Sequence, residues 1–302
     1  MNFKSLPQLL DYFKEEKTGI EYYERIRWNG KPVCPHCGID KAPYRTNRGF
    51  KCSDKNCSKK FTVKTGTIFD NSKISFRIWF AAIFLAGSNR KGISSLQLSR
   101  ELGITQKTAW FVLHRVREML KSHAPTMVGE TSPVEADETY IGGKEKNKHA
   151  SKKTKEGEPD KKSVVLGVIE RGGKVVLRYV PNATEENMVP FVKQYVNLGA
   201  KLYTDEFRSY RKLGRDYVHE TVNHTLKLYV NGDIHTNTIE NFWSVLKRGL
   251  YGIYHSVSEK HLDRYLNEFA SRFNERKESE QHKFEKFLTQ SEKRLKYKNL
   301  IA

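Results

Sequence analysis

The stretch VEADETYIG, residues 134–142, decides the fold, because it opens a series of strand-like runs and carries acidic residues inside the first of them. SVVLGVIER (163–171), KVVLRYVP (174–181) and AKLYTDE (200–206) follow it, with a helix-like segment TEENMVPFVKQYV (184–196) between the third and fourth runs. The tight RGGK at 171–174 joins the second and third as a hairpin. A short helical piece FRSYRKL (207–213), a fifth strand candidate YVHETVNH (217–224) and a helix opening at HTNTIENFWSVLKRG (235–249) complete the region.

Three strands, helix, strand, helix, strand, helix is the order of an RNase H-like mixed sheet. In that fold the first and fourth strands are neighbours. Asp137, in the first, and Asp205, at the C-terminal end of the fourth, would then face each other, with Glu240 arriving from the helix packed beside them. Three carboxylates converging in this way can hold two divalent cations about 4 Å apart, one activating a nucleophile and the other stabilising the leaving oxygen. Magnesium (or manganese) prefers oxygen ligands and keeps several waters, which suits so sparse a set.

Each residue also fits a quieter role. Alternation puts Glu135 on the face of Asp137 and Glu138 on the other, so either neighbour competes as the inward carboxylate. Asp205 fits a cap for the following helix. Asn237 and Glu240 fit a capping box. Against these local readings stands the spacing: 34 residues separate Asp205 from Glu240, and Lys247 follows Glu240 by seven positions, about two helical turns, on the same helix face. A lysine there can steer a phosphate while Phe242, Trp243, Val245 and Leu246 supply packing surface, and Arg248 beside it is a candidate DNA contact. The same Lys-Arg pair also suits a helix C-terminus on dipole grounds.

All four cysteines fall within 24 residues, as Cys34-x2-Cys37 and Cys52-x4-Cys57 separated by fourteen residues. Two close pairs with a short loop between them suit four thiolates on one tetrahedral zinc, a closed set with no open position for catalysis, so this zinc is structural. His36 lies inside the first turn and four sulfurs already suffice. Downstream, SFRIWFAAIFLAG (75–87) reads as a buried helix ended by Gly87; its longest apolar run is nine residues, about half a membrane span. SSLQLSREL (94–102), a GIT turn and QKTAWFVLHRVREML (106–120) then form a helix-turn-helix pattern, with Ala109, Val112, Leu113 and Val116 at helical spacing. Its second helix would present Gln106, Lys107 and Thr108 to base edges and phosphates. An ordinary helical hairpin fits the same letters.

The chain carries 54 Lys plus Arg against 35 Asp plus Glu over 302 residues, a net +19 that concentrates polyanions and makes nucleic acid the first partner to consider. Aromatic residues at 12% and apolar residues at 37% exclude a disordered basic tail. The N-terminal MNFKSLPQLLDYFKEEKTG, with acidic residues and no long apolar run, does not read as a signal or transit peptide, so the expected location is the cytoplasm, on the nucleoid when DNA is bound, and no membrane is expected as a partner. The expected organisation is multi-domain α/β: an N-terminal helical segment (1–30), the zinc ribbon (31–66), the helix-turn-helix (67–122), a linker (123–132), the mixed-sheet catalytic domain (133–276) and a basic tail (277–302). The insertion at 144–163 contains eight lysines and reads either as a basic arm on DNA or as a solvated loop.

VEADETYIGG, YTDEFRSY and HTNTIENFWSVLKRGLYGIYHSVSEKHLDRYLNEFASRFNER, together with the upstream RIRWNGKPVCPHCG, resemble the DDE transposases of bacterial insertion sequences, in particular the ISXO-type group related to the Merlin elements of eukaryotes. The resemblance covers about residues 15–276 and implies an RNase H-like catalytic domain with Asp137, Asp205 and Glu240 as metal ligands and Lys247 as the accompanying basic residue. Some relatives carry Asn at the third position, which brings Asn237 and Asn241 into view. It further implies cleavage at element ends marked by terminal inverted repeats, strand transfer of the 3′-hydroxyl into target DNA, and at least a dimer on DNA. A zinc-ribbon and helix-turn-helix transcription regulator with an inactive second domain explains the charge and the first 125 residues equally well. A nuclease that cuts without joining is the other alternative.

Overall fold

The computed structural model describes residues 3–121, 127–143, 162–205, 208–222, 234–292 and 294–301. The lysine-rich insertion up to residue 161, residues 123–126 of the expected linker and the end of the fifth strand candidate lie outside them. The chain divides into two compact units: Met1–Ser122 with Glu275–Ala302, and His123–Asn274. Residues 277–302, read from sequence as a tail, thus fall in the first unit, together with Glu275 and Arg276. No helix of the described residues is long and apolar enough to cross a membrane.

The first unit begins with α1 (Leu6–Tyr12) and α2 (Glu16–Trp28). A small antiparallel sheet follows, β1 (Tyr44–Thr46), β2 (Gly49–Lys51) and β3 (Lys60–Phe61), in that spatial order. Then come α3 (Phe76–Ser88), α4 (Ser95–Leu102) and α5 (Gln106–Leu120). Hydroxyl caps set the three helix starts: Ser75, Ser94 and Thr105 accept from the backbone N–H of Ile78, Gln97 and Thr108. Gly103, at φ +64°, ends α4 in the left-handed conformation that a side chain disfavours and opens the turn into α5.

The core of this unit is aromatic, with Phe13, Phe69, Phe76, Trp79 and Phe80 fully buried. The C-terminal part of the chain completes it through α9 (Glu280–Thr289), whose Phe284, Phe287 and Leu288 join the same cluster; α10 (Tyr297–Ile301) follows. Phe284 meets Phe80 edge-on at 5.3 Å. Gly87 does not end its helix, as the sequence suggests; α3 runs through Ser88. A Cβ on Gly87 would stand 2.7 Å from Cε2 of Phe287, so the missing side chain is what lets α9 lie close.

The second unit is built on a mixed five-stranded sheet of β4 (Val134–Ile141), β5 (Ser163–Glu170), β6 (Val175–Val180), β7 (Lys201–Asp205) and β8 (Val218–Val222). Their spatial order is β6-β5-β4-β7-β8; β4 is antiparallel to β5 and parallel to β7. One face packs Val134, Ala136 and Leu166 against α6 (Glu185–Tyr195) and a 3-10 helix (Arg208–Arg215). The other packs Val165 and Ile169 against α7 (Asn237–Gly252) and α8 (Glu259–Asn274). The hairpin expected at 171–174 forms between β5 and β6, with Gly172 at φ +72° and Glu170 N–H donating to the Lys174 carbonyl.

Candidate active site

The adjacency of β4 and β7 brings two of the expected carboxylates together. Their parallel ladder pairs Val134 with Leu202 and Glu135 with Tyr203, and Asp137 and Asp205 both lie two residues past the last pair. Asp137, Glu138 and Asp205 each offer a carboxylate oxygen within 4.8 Å of the others. Strict alternation would keep Glu138 on the opposite face from Asp137. Beyond the last paired residues the strands no longer hold each other in register, and Asp205 is reached by carboxylates from both faces of β4.

In this half-buried place Asp137 and Glu138 hold their protons more tightly than free carboxyls do. Burial pushes Asp137 up to about 6, with the charges of Asp205 and Glu240 adding to the rise and the Trp243 indole N–H opposing it. Burial likewise pushes Glu138 to about 7, reinforced by Asp205 and Asp137 and opposed by the Tyr210 hydroxyl, which donates to its Oε2 at 3.2 Å. A hard divalent cation relieves this repulsion, and an all-oxygen set is the donor chemistry it takes.

The sign of the resulting pH dependence follows from proton counting. Both carboxyls bind protons more tightly folded than unfolded, so their contribution to stability is present in acid and is lost as pH rises from about 4 to about 7. A divalent cation replaces those protons. The rise in melting temperature on adding Mg²⁺ or Mn²⁺ is therefore expected to grow between about pH 5 and about pH 7.5. Thermal-shift series across that range check this; a shift that is equal at both ends would contradict it.

Glu135, a competitor for the inward position, has another job. It is fully buried, accepts from Arg171 Nε at 2.7 Å and the Thr238 hydroxyl at 2.8 Å through Oε1, and from the Ile239 N–H at 2.9 Å through Oε2. A strand carboxylate thus caps α7, and Arg171 balances its buried charge. The capping box expected from Asn237 and Glu240 is not formed. Thr236 is the N-cap, and its hydroxyl donates to Glu240 Oε1 at 2.9 Å.

Glu240 is exposed on the first turn of α7, outside the tight carboxylate group yet near enough for its charge to act on Asp137. Lys247 is half-buried two turns further along, and Arg248 is exposed. Asn237 and Asn241 are exposed as well. In the first unit Gln106 and Lys107 are exposed and Thr108 is half-buried at the start of α5. The Gln106 amide donates to Ser95 Oγ at 2.9 Å, Lys107 Nζ lies 5.8 Å from the Tyr297 ring centroid, and the Thr108 hydroxyl pairs with that of Thr105.

Trp243, legible in the sequence only as packing surface, also makes a polar contact: its Nε1–H donates to Asp137 Oδ2 at 2.8 Å. The residue opposite Asp137 on β5 is Gly167, where a Cβ would stand 2.6 Å from Trp243 Cη2. A buried indole N–H generally finds a partner, which is the signal that could have flagged Trp243. Glu138, which the sequence offers only as a competitor to Asp137 on the other face by period-2 reasoning, instead stands beside it.

The four cysteines cluster beside the β1–β3 sheet. Their sulfurs lie within 4.8 Å of one another, with Cys34–Cys57 at 3.9 Å and Cys37–Cys52 at 3.5 Å. A tetrahedron with metal–sulfur bonds of about 2.3 Å has edges of about 3.8 Å, so the set fits one zinc and is far too open for disulfides. His36 is exposed and outside the cluster. Phe50 and Phe61 stack at 5.5 Å beneath it, and Cys34 and Cys52 share their core. So small a core relies on the metal, whose binding is worth about 10–16 kcal/mol in comparable sites. Cys52→Ser is expected to release zinc and melt β1–β3, read by metal analysis and by amide protection at Phe50; one retained equivalent of zinc with protection intact would count against this.

Residues 128–274 match the ISXO2-like transposase domain, and residues 14–60 match the transposase zinc-ribbon domain. A protein of the transposable element ISH50 in Halobacterium salinarum is 29% identical over 276 residues, covering 86% of this chain and 91% of its own length. A transposase-like protein of Haemophilus influenzae is 33% identical over 102 residues, covering 33% of this chain and 81% of its own length. Two solved structures, a pre-cleavage Mos1 transpososome and the Mos1 strand transfer complex, are similar at 11% identity with TM-scores of 0.23 and 0.21, each covering 67% of this chain and 75% of theirs. The chain belongs to the ISXO2-like family of insertion-sequence DDE transposases, with a transposase zinc ribbon ahead of the transposase domain.

Proposed function

We propose that this transposase cuts DNA at the ends of its element and joins the freed 3′-hydroxyl to target DNA, using one carboxylate site in the second unit, whose sheet we read as RNase H-like. The convergence of Asp137 and Asp205 at the ends of adjacent parallel strands carries this reading. Asp137 and Asp205 hold the divalent metal, Mg²⁺ or Mn²⁺, with Glu240 as the third ligand from α7 and Glu138 offering a further oxygen. Divalent cations in such a site supply Lewis acidity for phosphoryl transfer. Hydrolysis of the end phosphodiester leaves a 3′-hydroxyl and a 5′-phosphate; that hydroxyl then displaces a target 3′-oxygen, forming one phosphodiester for each one broken. No covalent protein–DNA bond enters the balance. Lys247, half-buried and without an ion pair among the described residues, is the group we assign to the phosphate, with exposed Arg248 on the flanking backbone.

The first unit, in this reading, recognises the element ends. The zinc ribbon supports it, α4 and α5 form a helix-turn-helix, and Gln106, Lys107 and Thr108 stand where such motifs meet DNA. The net charge of +19 favours both end and target DNA, and pairing two ends calls for at least two copies of the chain. Incubating the full chain with Mg²⁺ and DNA carrying the element's terminal inverted repeats tests the proposal. Joined products support it; end cleavage without joining favours a simple nuclease, and binding without either favours a regulator.

A further inference from the structure

We infer that Trp243 is a positioning residue that fixes the Asp137 carboxylate for the metal, and that Gly167 is the vacancy that admits it. This deepens the proposed function and rests on Asp137 being a metal ligand. A carboxylate on a strand can rotate about its side-chain torsions, and a metal site gains affinity when one oxygen is already committed and the other is aimed. The Trp243 indole donates to Oδ2 at 2.8 Å. Oδ1 is thereby left for the cation and for the side facing Asp205.

Two further observations set this contact apart from incidental packing. The indole edge lies over the backbone of Gly167, the register partner of Asp137, where a Cβ would fall 2.6 Å from Cη2 and 2.7 Å from Cζ2. Gly167 has no positive φ among the glycines that need one, so its small size is accounted for by the ring rather than by a turn. Trp243 also sits three residues after Glu240, less than one helical turn. The helix that brings the third carboxylate therefore holds the first in place through the same stretch of backbone, and helix and strand stay in register at the site.

Mn²⁺ affinity of the full chain, measured by electron paramagnetic resonance without DNA, tests the role separately from turnover. Trp243→Phe removes the N–H and also the ring edge over Gly167; it is expected to weaken Mn²⁺ binding about 10-fold or more and to lower the metal-free melting temperature as well. Asp137→Ala is expected to weaken the same binding further. If Asp137→Ala weakens binding and Trp243→Phe does not, the positioning role is wrong and the metal site stands. If Asp137→Ala has no effect, the site assignment itself is wrong. Should the phenylalanine variant not fold, replacing Trp243 by its benzothiophene isostere, which exchanges only N–H for sulfur, carries the same two outcomes.

Discussion

Asp137→Ala is expected to lower Mg²⁺-dependent strand transfer by about 10³-fold or more while leaving binding to end DNA within about twofold, a loss near 4 kcal/mol of transition-state stabilisation. The size follows from what the side chain does. It sits at the meeting point of three carboxylates, and its removal takes away the metal ligand we propose and the partner of the Trp243 N–H together. Binding is expected to be spared because the zinc ribbon, α4 and α5, to which we assign end recognition, belong to the other unit. Asp205→Ala is expected to match it. Gel analysis of joined products beside a mobility-shift titration separates the two readouts, and strand transfer retained in either variant would sink the catalytic assignment.

Deleting residues 275–302 is expected to unfold the first unit and leave the second intact. Residues of α9 are interior to the first unit's core, and the connection is also polar: Ile68 N–H donates to the Ser291 carbonyl at 2.8 Å, Tyr22 to Glu285 at 2.7 Å, and Arg27 pairs with Glu292 at 2.7 Å. Phe287→Ala alone is expected to cost about 3–5 kcal/mol, since a fully buried ring packed on Gly87 leaves a cavity that the helix backbone cannot close. Hydrogen exchange distinguishes the units. Protection should fall across Phe76–Ser88 and persist across Ser163–Glu170. Equal protection of α3 with and without the deletion would show that α9 is dispensable.

Much of the second unit was legible because its strands are long and apolar enough to announce themselves. The runs at 134, 163, 174 and 200 became β4 to β7 within a residue or two, and the adjacency of the first and fourth strands followed from their order. The four cysteines were legible because metal spacing is a local property. What escaped was non-local. Glu138, a competitor for the place of Asp137 on sequence grounds, joins it in one group where the β4–β7 ladder stops, and nothing in the letters around it marks that point. Glu135 caps a helix about a hundred residues away, which displaced the local capping box that Asn237 and Glu240 seemed to spell. Gly87 looked like a helix stop because the residue it accommodates, Phe287, is two hundred positions distant.

The division of the first unit between two stretches of chain also sets an order of events during synthesis. The 152 residues His123–Asn274 are made after Ser122 and before Glu275, which at about 5–20 residues per second occupies roughly 8–30 s. Throughout that interval the nascent first unit holds Phe80 and its aromatic neighbours without α9 to cover them. The sheet of the second unit, whose segments are contiguous, is free to form in the meantime. The portion translated first is therefore the last to close.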